Sequence, residues 1–225
     1  MKRLFALLLV LCLAMGNTAL ADGKLKVTDK TLIVYDGDDS GYFFARIENT
    51  GDAPIAVGYG NLVTFDDEDE IVFSDGLITV CPNYVMLDPG EFVFACEFLW
   101  ESALKEKEVV DFKFSADKRT SGDEVTIISA GIEYDLKGAD TYDNHIYVTI
   151  TNDSDEMLEA PYTVAVLYDE EGHIAYVDAE SLSALRIHPH STVTIVLSVD
   201  NDMMVYYSKH GIKVAEAAAF VYIEK

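Results

Sequence analysis

Two cysteines, a pair of histidines flanking a proline, and a run of five carboxylates are the residues of this chain whose types and spacing could do chemistry. Cys81 and Cys96 lie symmetrically about Asp88-Pro89. A hairpin turning there would set them opposite each other, which favours a disulfide over two buried thiols. A nucleophilic thiol ranks third, because the thiolate needs a base and no histidine is near either cysteine in the sequence. His188-Pro189-His190 has a His-x-His spacing that suits zinc or copper. The proline makes it a turn, and a third ligand would have to come from His145, His173, His210 or a carboxylate, so an exposed turn is expected. Asp66-Asp67-Glu68-Asp69-Glu70 offers the oxygen atoms that calcium takes. It lacks alternating ligands around a glycine, and successive strand side chains point to opposite faces. A solvated hairpin tip is expected, with weak calcium binding as the alternative; the Asp36, Asp38 and Asp39 cluster reads the same way.

Catalytic patterns are missing from the sequence. It contains no Gly-x-Ser-x-Gly elbow, no His-Glu-x-x-His and no phosphate-binding glycine loop. Carboxylates are so frequent that a glycosidase-like pair has no identifying spacing. The reading therefore assigns no catalytic residue, no cofactor and no metal ligand, and the chain is expected not to be an enzyme. Met203 and Met204 read as core fillers, since methionine packs irregular gaps. Trp100, beside Phe98 and Leu99, is expected in a core or domain interface rather than on a sugar-binding surface. Asn152-Asp153-Ser154 fits a glycosylation sequon, but Asn49 holds the equivalent place without one, so a turn role accounts for it.

That equivalence comes from an internal duplication. Tyr42 to Phe73 returns as His145 to Tyr176 at a constant shift of 103 positions. Asn49 meets Asn152, Asp52 meets Asp155, Asp66 meets Asp169, and Ile71 meets Ile174. Leu87-Asp88-Pro89-Gly90 then matches Ile187-His188-Pro189-His190 at a shift of 100. Around these matches, short blocks rich in Val, Ile, Tyr, Phe and Thr are split by Gly, Asp, Asn and Pro, which reads as strands and turns. Val125 to Ile128 and Gly131 to Tyr134 read as two separate strands. Ser102 to Glu108 and Asp202 to His210 are the two helical candidates, the second stopped by Gly211. The polar segment Ala116 to Glu124 is the natural boundary.

Lys2 and Arg3, the apolar run Leu4 to Ala14, and Ala19-Leu20-Ala21 have the form of a cleaved signal peptide over residues 1–21. The mature chain is expected to start at Asp22, with domains at 22–118 and 119–225, secreted or extracytoplasmic in the cell envelope. Net charge is −24, and loss of Lys2 and Arg3 makes it more negative still. Such a chain repels nucleic acid and anionic lipid, so nucleic-acid partners and membrane insertion after cleavage are both discounted.

The second copy reads Tyr147-Val148-Thr149-Ile150-Thr151-Asn152, a turn, and then Val164-Ala165-Val166-Leu167-Tyr168-Asp169-Glu170-Glu171-Gly172. This resembles the FxLYD-type immunoglobulin-like domains of bacterial exported proteins, over roughly His145 to Val199. The Pro189 turn followed by Thr192 to Leu197 is similar to the pattern that closes those domains. Ala165 stands where the family name has Phe, and the first copy has Leu62-Val63-Thr64-Phe65-Asp66. The resemblance implies non-catalytic envelope modules and carries over no active-site residues. The chain is thus read as all-β, two tandem immunoglobulin-like β-sandwiches acting as an adhesion, scaffold or binding module for a protein or glycan partner. The alternatives are a calcium-binding surface protein with acidic loops and an enzyme with its site between the domains.

Overall fold

The computed structural model describes residues 22–225, so the leader expected over residues 1–21 lies outside the described residues. The first half contains β1 (Leu25–Val34), β2 (Ser40–Asn49), β3 (Ile55–Phe65), β4 (Ile71–Ile78), β5 (Val80–Cys81), β6 (Val85–Leu87), β7 (Phe92–Trp100), helix α1 (Ala103–Glu106) and β8 (Asp111–Arg119). The second contains β9 (Asp123–Leu136), β10 (Asn144–Asn152), β11 (Leu158–Glu159), β12 (Tyr162–Asp169), β13 (Ile174–Ser181), β14 (Arg186–Ile187), β15 (Ser191–Ser198), helix α2 (Asn201–His210) and β16 (Val214–Glu224). Among the described residues the fold is all-β apart from two short helices, as the strand-like periodicity predicts.

The duplication holds at the level of strand register. In β2 and β7, Tyr42 faces Phe98, Phe44 faces Cys96 and Arg46 faces Phe94. In β10 and β15, His145 faces Ser198, Tyr147 faces Val196 and Thr149 faces Thr194. The shifts of 103 and 100 read from the sequence map one ladder onto the other pair by pair. They also map Ile55 opposite Leu87 onto Leu158 opposite Ile187.

Two side chains repeat their work along with their positions. The Asn49 amide donates to the carbonyls of Ala53 (2.8 Å) and Leu87 (2.9 Å), and its oxygen accepts from Lys24 N (3.1 Å) and Gly51 N (3.0 Å). Asn152 donates to Glu156 O (2.8 Å) and Ile187 O (2.9 Å) and accepts from Ser154 N (3.2 Å). Each is a buried clamp joining the strand end to the next turn and to the Pro-turn strand. Asp66 Oδ1 accepts from Glu68 N (3.1 Å) and Glu70 N (2.9 Å), and Asp169 Oδ1 from Glu171 N (3.0 Å) and His173 N (2.8 Å). The acid at each turn is a backbone-bonding Asx residue.

β1-β2-β7-β5 form a four-stranded sheet and β11-β14 a two-stranded one, while a ten-stranded sheet runs β13-β12-β16-β9-β6-β3-β4, with β8 on β3 and with β10 and β15 carried on the far half of β9. Here the structure departs from the reading of two separate strands at 125–128 and 131–134. β9 is one strand whose first part, Val125 to Ala130, pairs with β16, and whose second part, Gly131 to Leu136, pairs with β10. Gly131 looks like a break because it marks where the strand changes partner. β6 also pairs in parallel with the start of β9, Val85 with Asp123 and Met86 with Glu124, stitching the two halves.

β2 and β7 are covered on both faces. Inward, Phe43 meets Phe112 and Phe114 of β8 at ring distances of 6.1 and 4.6 Å. Outward, the same two strands carry Tyr42, Phe44, Arg46, Phe92, Phe94 and Cys96 against the second copy. Phe220 of β16 lies 4.9 Å from Phe92 and 5.7 Å from Phe94, and the Tyr222 hydroxyl donates to Phe92 O (3.0 Å). Edge strand β13 crosses β1, β2 and β7 in turn. Ile174 N donates to Asp29 Oδ2 (2.8 Å), the Tyr176 ring packs 5.7 Å from Phe44, and the Cys96 thiol donates to Val177 O (3.1 Å). Each fully buried aromatic here contributes roughly 1.5–3 kcal/mol, so the two copies share one apolar core.

Helix α2 closes one end of this contact. Asp200 caps it by accepting from Asp202 N (3.1 Å), and Gly211 ends it at φ 70°. Its buried side is Met203, Met204 and Tyr207, with the Tyr207 hydroxyl on Ala175 O (2.8 Å). Its outer end reaches the first copy, where His210 meets Asp36 at 3.0 Å.

Candidate functional site

The thiols depart from expectation. Cys81 and Cys96 are free, and the disulfide predicted between them is not present. The hairpin about Asp88-Pro89 does not pair them, because β6 intervenes and joins the sheet of β3. In the β5–β7 ladder Val80 faces Ala95 and Cys81 faces Phe94, and Cys96 N bonds to Thr79 O. The two cysteines share a face but sit diagonally, where Cβ atoms are roughly 7 Å apart rather than the roughly 3.8 Å of a bridge. Burial pushes the Cys81 thiol up to about 11 and the Cys96 thiol well above its ordinary value. Both are therefore protonated at neutral pH, the wrong state for a nucleophile.

His188 and His190 sit in the turn between β14 and β15, and Ser191 N bonds to His188 O at 3.2 Å. His190 has φ 55°, the left-handed conformation that Gly90 adopts at φ 87° in the first copy. Its imidazole contacts Asp155 at 2.9 Å in an exposed pair. In the acidic turn, Lys107 contacts Asp66 at 2.8 Å and Glu70 at 3.0 Å, which lowers the Asp66 carboxyl's pKa and raises the lysine's. Among the described residues, no group of three or more His, Cys, Asp or Glu is arranged to hold a metal ion. Met203 and Met204 are buried on the inner side of α2.

Trp100 departs furthest from its expected place in a core or interface. It stands at the last position of β7, 72% exposed, on the face that buries Phe94 and Cys96 lower down. The second copy covers that face only part way. Phe98, 42% exposed, bridges the covered and open parts: its ring lies 5.0 Å from Tyr42 and 6.2 Å, edge-on, from Trp100. The strand register makes this placement unavoidable, since Phe98 and Trp100 must share the face of Phe94 and Cys96. Ser40 faces Trp100 across the ladder, and Glu101 N donates to Asp39 O at 2.7 Å, which extends the pairing of β2 and β7 by one residue.

Two desolvated groups at the contact between the copies were not legible in the sequence. Asp178 on β13 is largely desolvated beside Tyr42, Tyr176 and Cys96, and burial raises its carboxyl's pKa. The buried Tyr35 hydroxyl has no hydrogen-bond partner, and burial near Asp200 raises its pKa. Tyr35 lies at the back of an open groove of about 480 Å³ between α1 and α2, also lined by Leu104, Phe112, Tyr206 and His210. Lys107 and His210, which also line it, are already engaged with carboxylates.

No helix among the described residues is long and apolar enough to cross a membrane. No protein-family model and no curated protein matches the chain. Among solved structures it is similar to a red sea bream transglutaminase, at 10% identity and a TM-score of 0.24, a match covering 85% of this chain and 28% of that one. A likeness that low carries no argument about activity, and the chain's character rests on its own geometry.

Proposed function

We propose that this is an exported, non-catalytic binding module, two immunoglobulin-like sandwiches of the FxLYD type fused into one rigid body that presents the Phe98–Trp100 rim to a partner at the cell envelope. The observation that carries the reading is Trp100, a large indole left 72% exposed where the remaining aromatics of its face are buried or half-buried. Exposed aromatic surface on a soluble protein marks interaction sites, and tryptophan is enriched among residues that dominate binding energy. The aromatic fill between the copies supports a fixed presentation of that rim. Calcium binding in the Asp66 turn has less support, because the turn's own backbone and Lys107 already occupy Asp66.

The test is retention of the purified protein on the envelope fraction of its source cells. Phe98→Ala/Trp100→Ala should lower retention at least tenfold while leaving the unfolding midpoint within a degree or two, as expected for exposed side chains. Undiminished retention of the double variant would sink the proposal.

A further inference from the structure

We infer that the open edge of β15 docks a second molecule of this chain, the two β15 strands pairing antiparallel about a two-fold axis. The duplication shows what this edge lacks. In the first copy β5 lies along the edge of β7, with Cys81 facing Phe94, Val80 facing Ala95 and Cys96 N donating to Thr79 O at 3.1 Å. At the shift of 100 those β7 positions become Thr194, Ile195 and Val196. The second copy is shorter before its Pro turn by 103 − 100 = 3 residues. There Leu182 to Leu185 closes on itself, Leu185 N donating to Leu182 O at 2.8 Å, and β15 pairs with β10 alone. Val93 and Ala95 of the first copy are fully buried, whereas their counterparts Val193 and Ile195 are half-buried.

The bare edge is equipped to pair. Val199 N donates to Asn144 O at 2.9 Å, so the alternation of an antiparallel ladder turns the N–H and C=O groups of Thr192, Thr194 and Val196 away from β10, to the open side. Proteins normally blunt such edges with charge or bulges. Among the described residues the other long edge strands are blunted: β1 by Asp29 and a bulge, β4 by Asp75 and two register shifts, β8 by Lys113, and β13 by Asp178. β15, from Ser191 to Ser198, carries no charge, glycine or proline and keeps an unbroken register. A two-fold axis at Thr194 lays the second molecule antiparallel on it, the direction β5 takes on β7. Val193 then meets Ile195 of the second molecule, and both lose their remaining exposure. On a chain of net charge −24 a surface that pairs with itself must be free of carboxylates, and this strand is.

Sedimentation of the full-length mature protein, from micromolar to millimolar concentration, should show a monomer–dimer equilibrium and nothing larger. Amide exchange at Thr192, Thr194 and Val196 should slow as the dimer fills. Thr194→Glu/Val196→Glu should raise the dissociation constant at least about tenfold, because like charges then face each other across the axis. Both side chains are exposed, so the monomer's unfolding midpoint should not move. Mixing that variant in equal amounts with Thr194→Lys/Val196→Lys should restore the dimer. Phe98→Ala/Trp100→Ala should leave the equilibrium untouched, so the outcome is independent of the rim. A monomer at every concentration would overturn the second molecule as occupant and leave the edge to a strand of another protein. A dimer that survives in Thr194→Glu/Val196→Glu, or association beyond two molecules, would overturn the two-fold pairing of β15.

Discussion

Tyr42, Phe44 and Arg46 on β2 hold the places that His145, Tyr147 and Thr149 hold on β10, and across the ladder Phe94, Cys96 and Phe98 answer to Thr194, Val196 and Ser198. The inner faces of the two strands do the same job with the same kind of residue: Phe43, Ala45 and Ile47 in one, Ile146, Val148 and Ile150 in the other, all fully buried. Only the outer faces differ. On β10 and β15 that face carries threonine pairs whose hydroxyls meet at 3.0 Å (Thr149 with Thr194) and 3.1 Å (Thr151 with Thr192), open to solvent. On β2 and β7 it is aromatic and covered by the sister copy. The duplicated unit therefore constrains one face of each strand and leaves the other free to specialise.

The difference also sets the two free outer faces of the described pair apart from the joined ones. The contact joins unlike surfaces, the β2–β7 face of one copy and the β12–β16 side of the other, and such heterologous contacts propagate unless the free faces are spoiled. The threonines of β10 and β15 spoil one end. Half-exposed Asn61 and exposed Lys113 and Ser115, on β3 and β8, spoil the other.

Breaking this comparison at its strongest point means truncating matched residues. Phe44→Ala should cost about 3–5 kcal/mol, the range for a fully buried aromatic. Its counterpart Tyr147→Ala, half-exposed, should cost under about 1 kcal/mol. Urea unfolding monitored by circular dichroism checks both, and equal losses would mean the outer face of β2 is not the shared core described here. What the copies hold in common should respond alike: Asn49→Ala and Asn152→Ala each orphan buried carbonyls and should each cost about 2 kcal/mol. Unequal losses would show that one clamp matters more than its twin.

A smaller effect belongs to the covered face alone. Asp178 has its folded carboxyl pKa raised by burial, so its penalty is absent below the ordinary carboxylate pKa and stability falls as pH rises through the raised value. Asp178→Asn should therefore raise the melting midpoint by a few degrees at pH 7 and change nothing at pH 3. A gain that persists at pH 3 would assign it to packing rather than charge. The smallest effect distinguishes the acidic turns. Lys107 depresses the Asp66 carboxyl's pKa, a stabilisation present above the ordinary carboxylate pKa and lost as pH falls through the depressed value. Lys107→Ala should slightly lower the midpoint at pH 7 and leave it unchanged at pH 2, measured by thermal melting across that range.

Much of the fold was legible because it is written in local pattern. Alternation in Ile146, Val148 and Ile150 marks a strand with one wet face, and the unbroken run Tyr42-Phe43-Phe44-Ala45 marks one buried on both sides. The Asn and Asp matches located both clamps and both Asx turns, and Gly211 located the end of α2. The thiols were misjudged because symmetry about a turn does not determine register: β6 left for another sheet and the β5–β7 ladder settled two residues away. Trp100 was misjudged because composition does not say where the covering copy ends.

By itself, then, the sequence determined the strands, the duplication with its two shifts, and the residues that serve every copy of the unit, since these depend on short-range periodicity and backbone hydrogen bonding. Only the tertiary structure decided which outer face is covered, how far the cover extends along β7, and therefore that Phe98 and Trp100 are left open. Those outcomes depend on how two sheets far apart in the chain dock, and docking is set by the joint shape of surfaces that no local stretch of sequence contains.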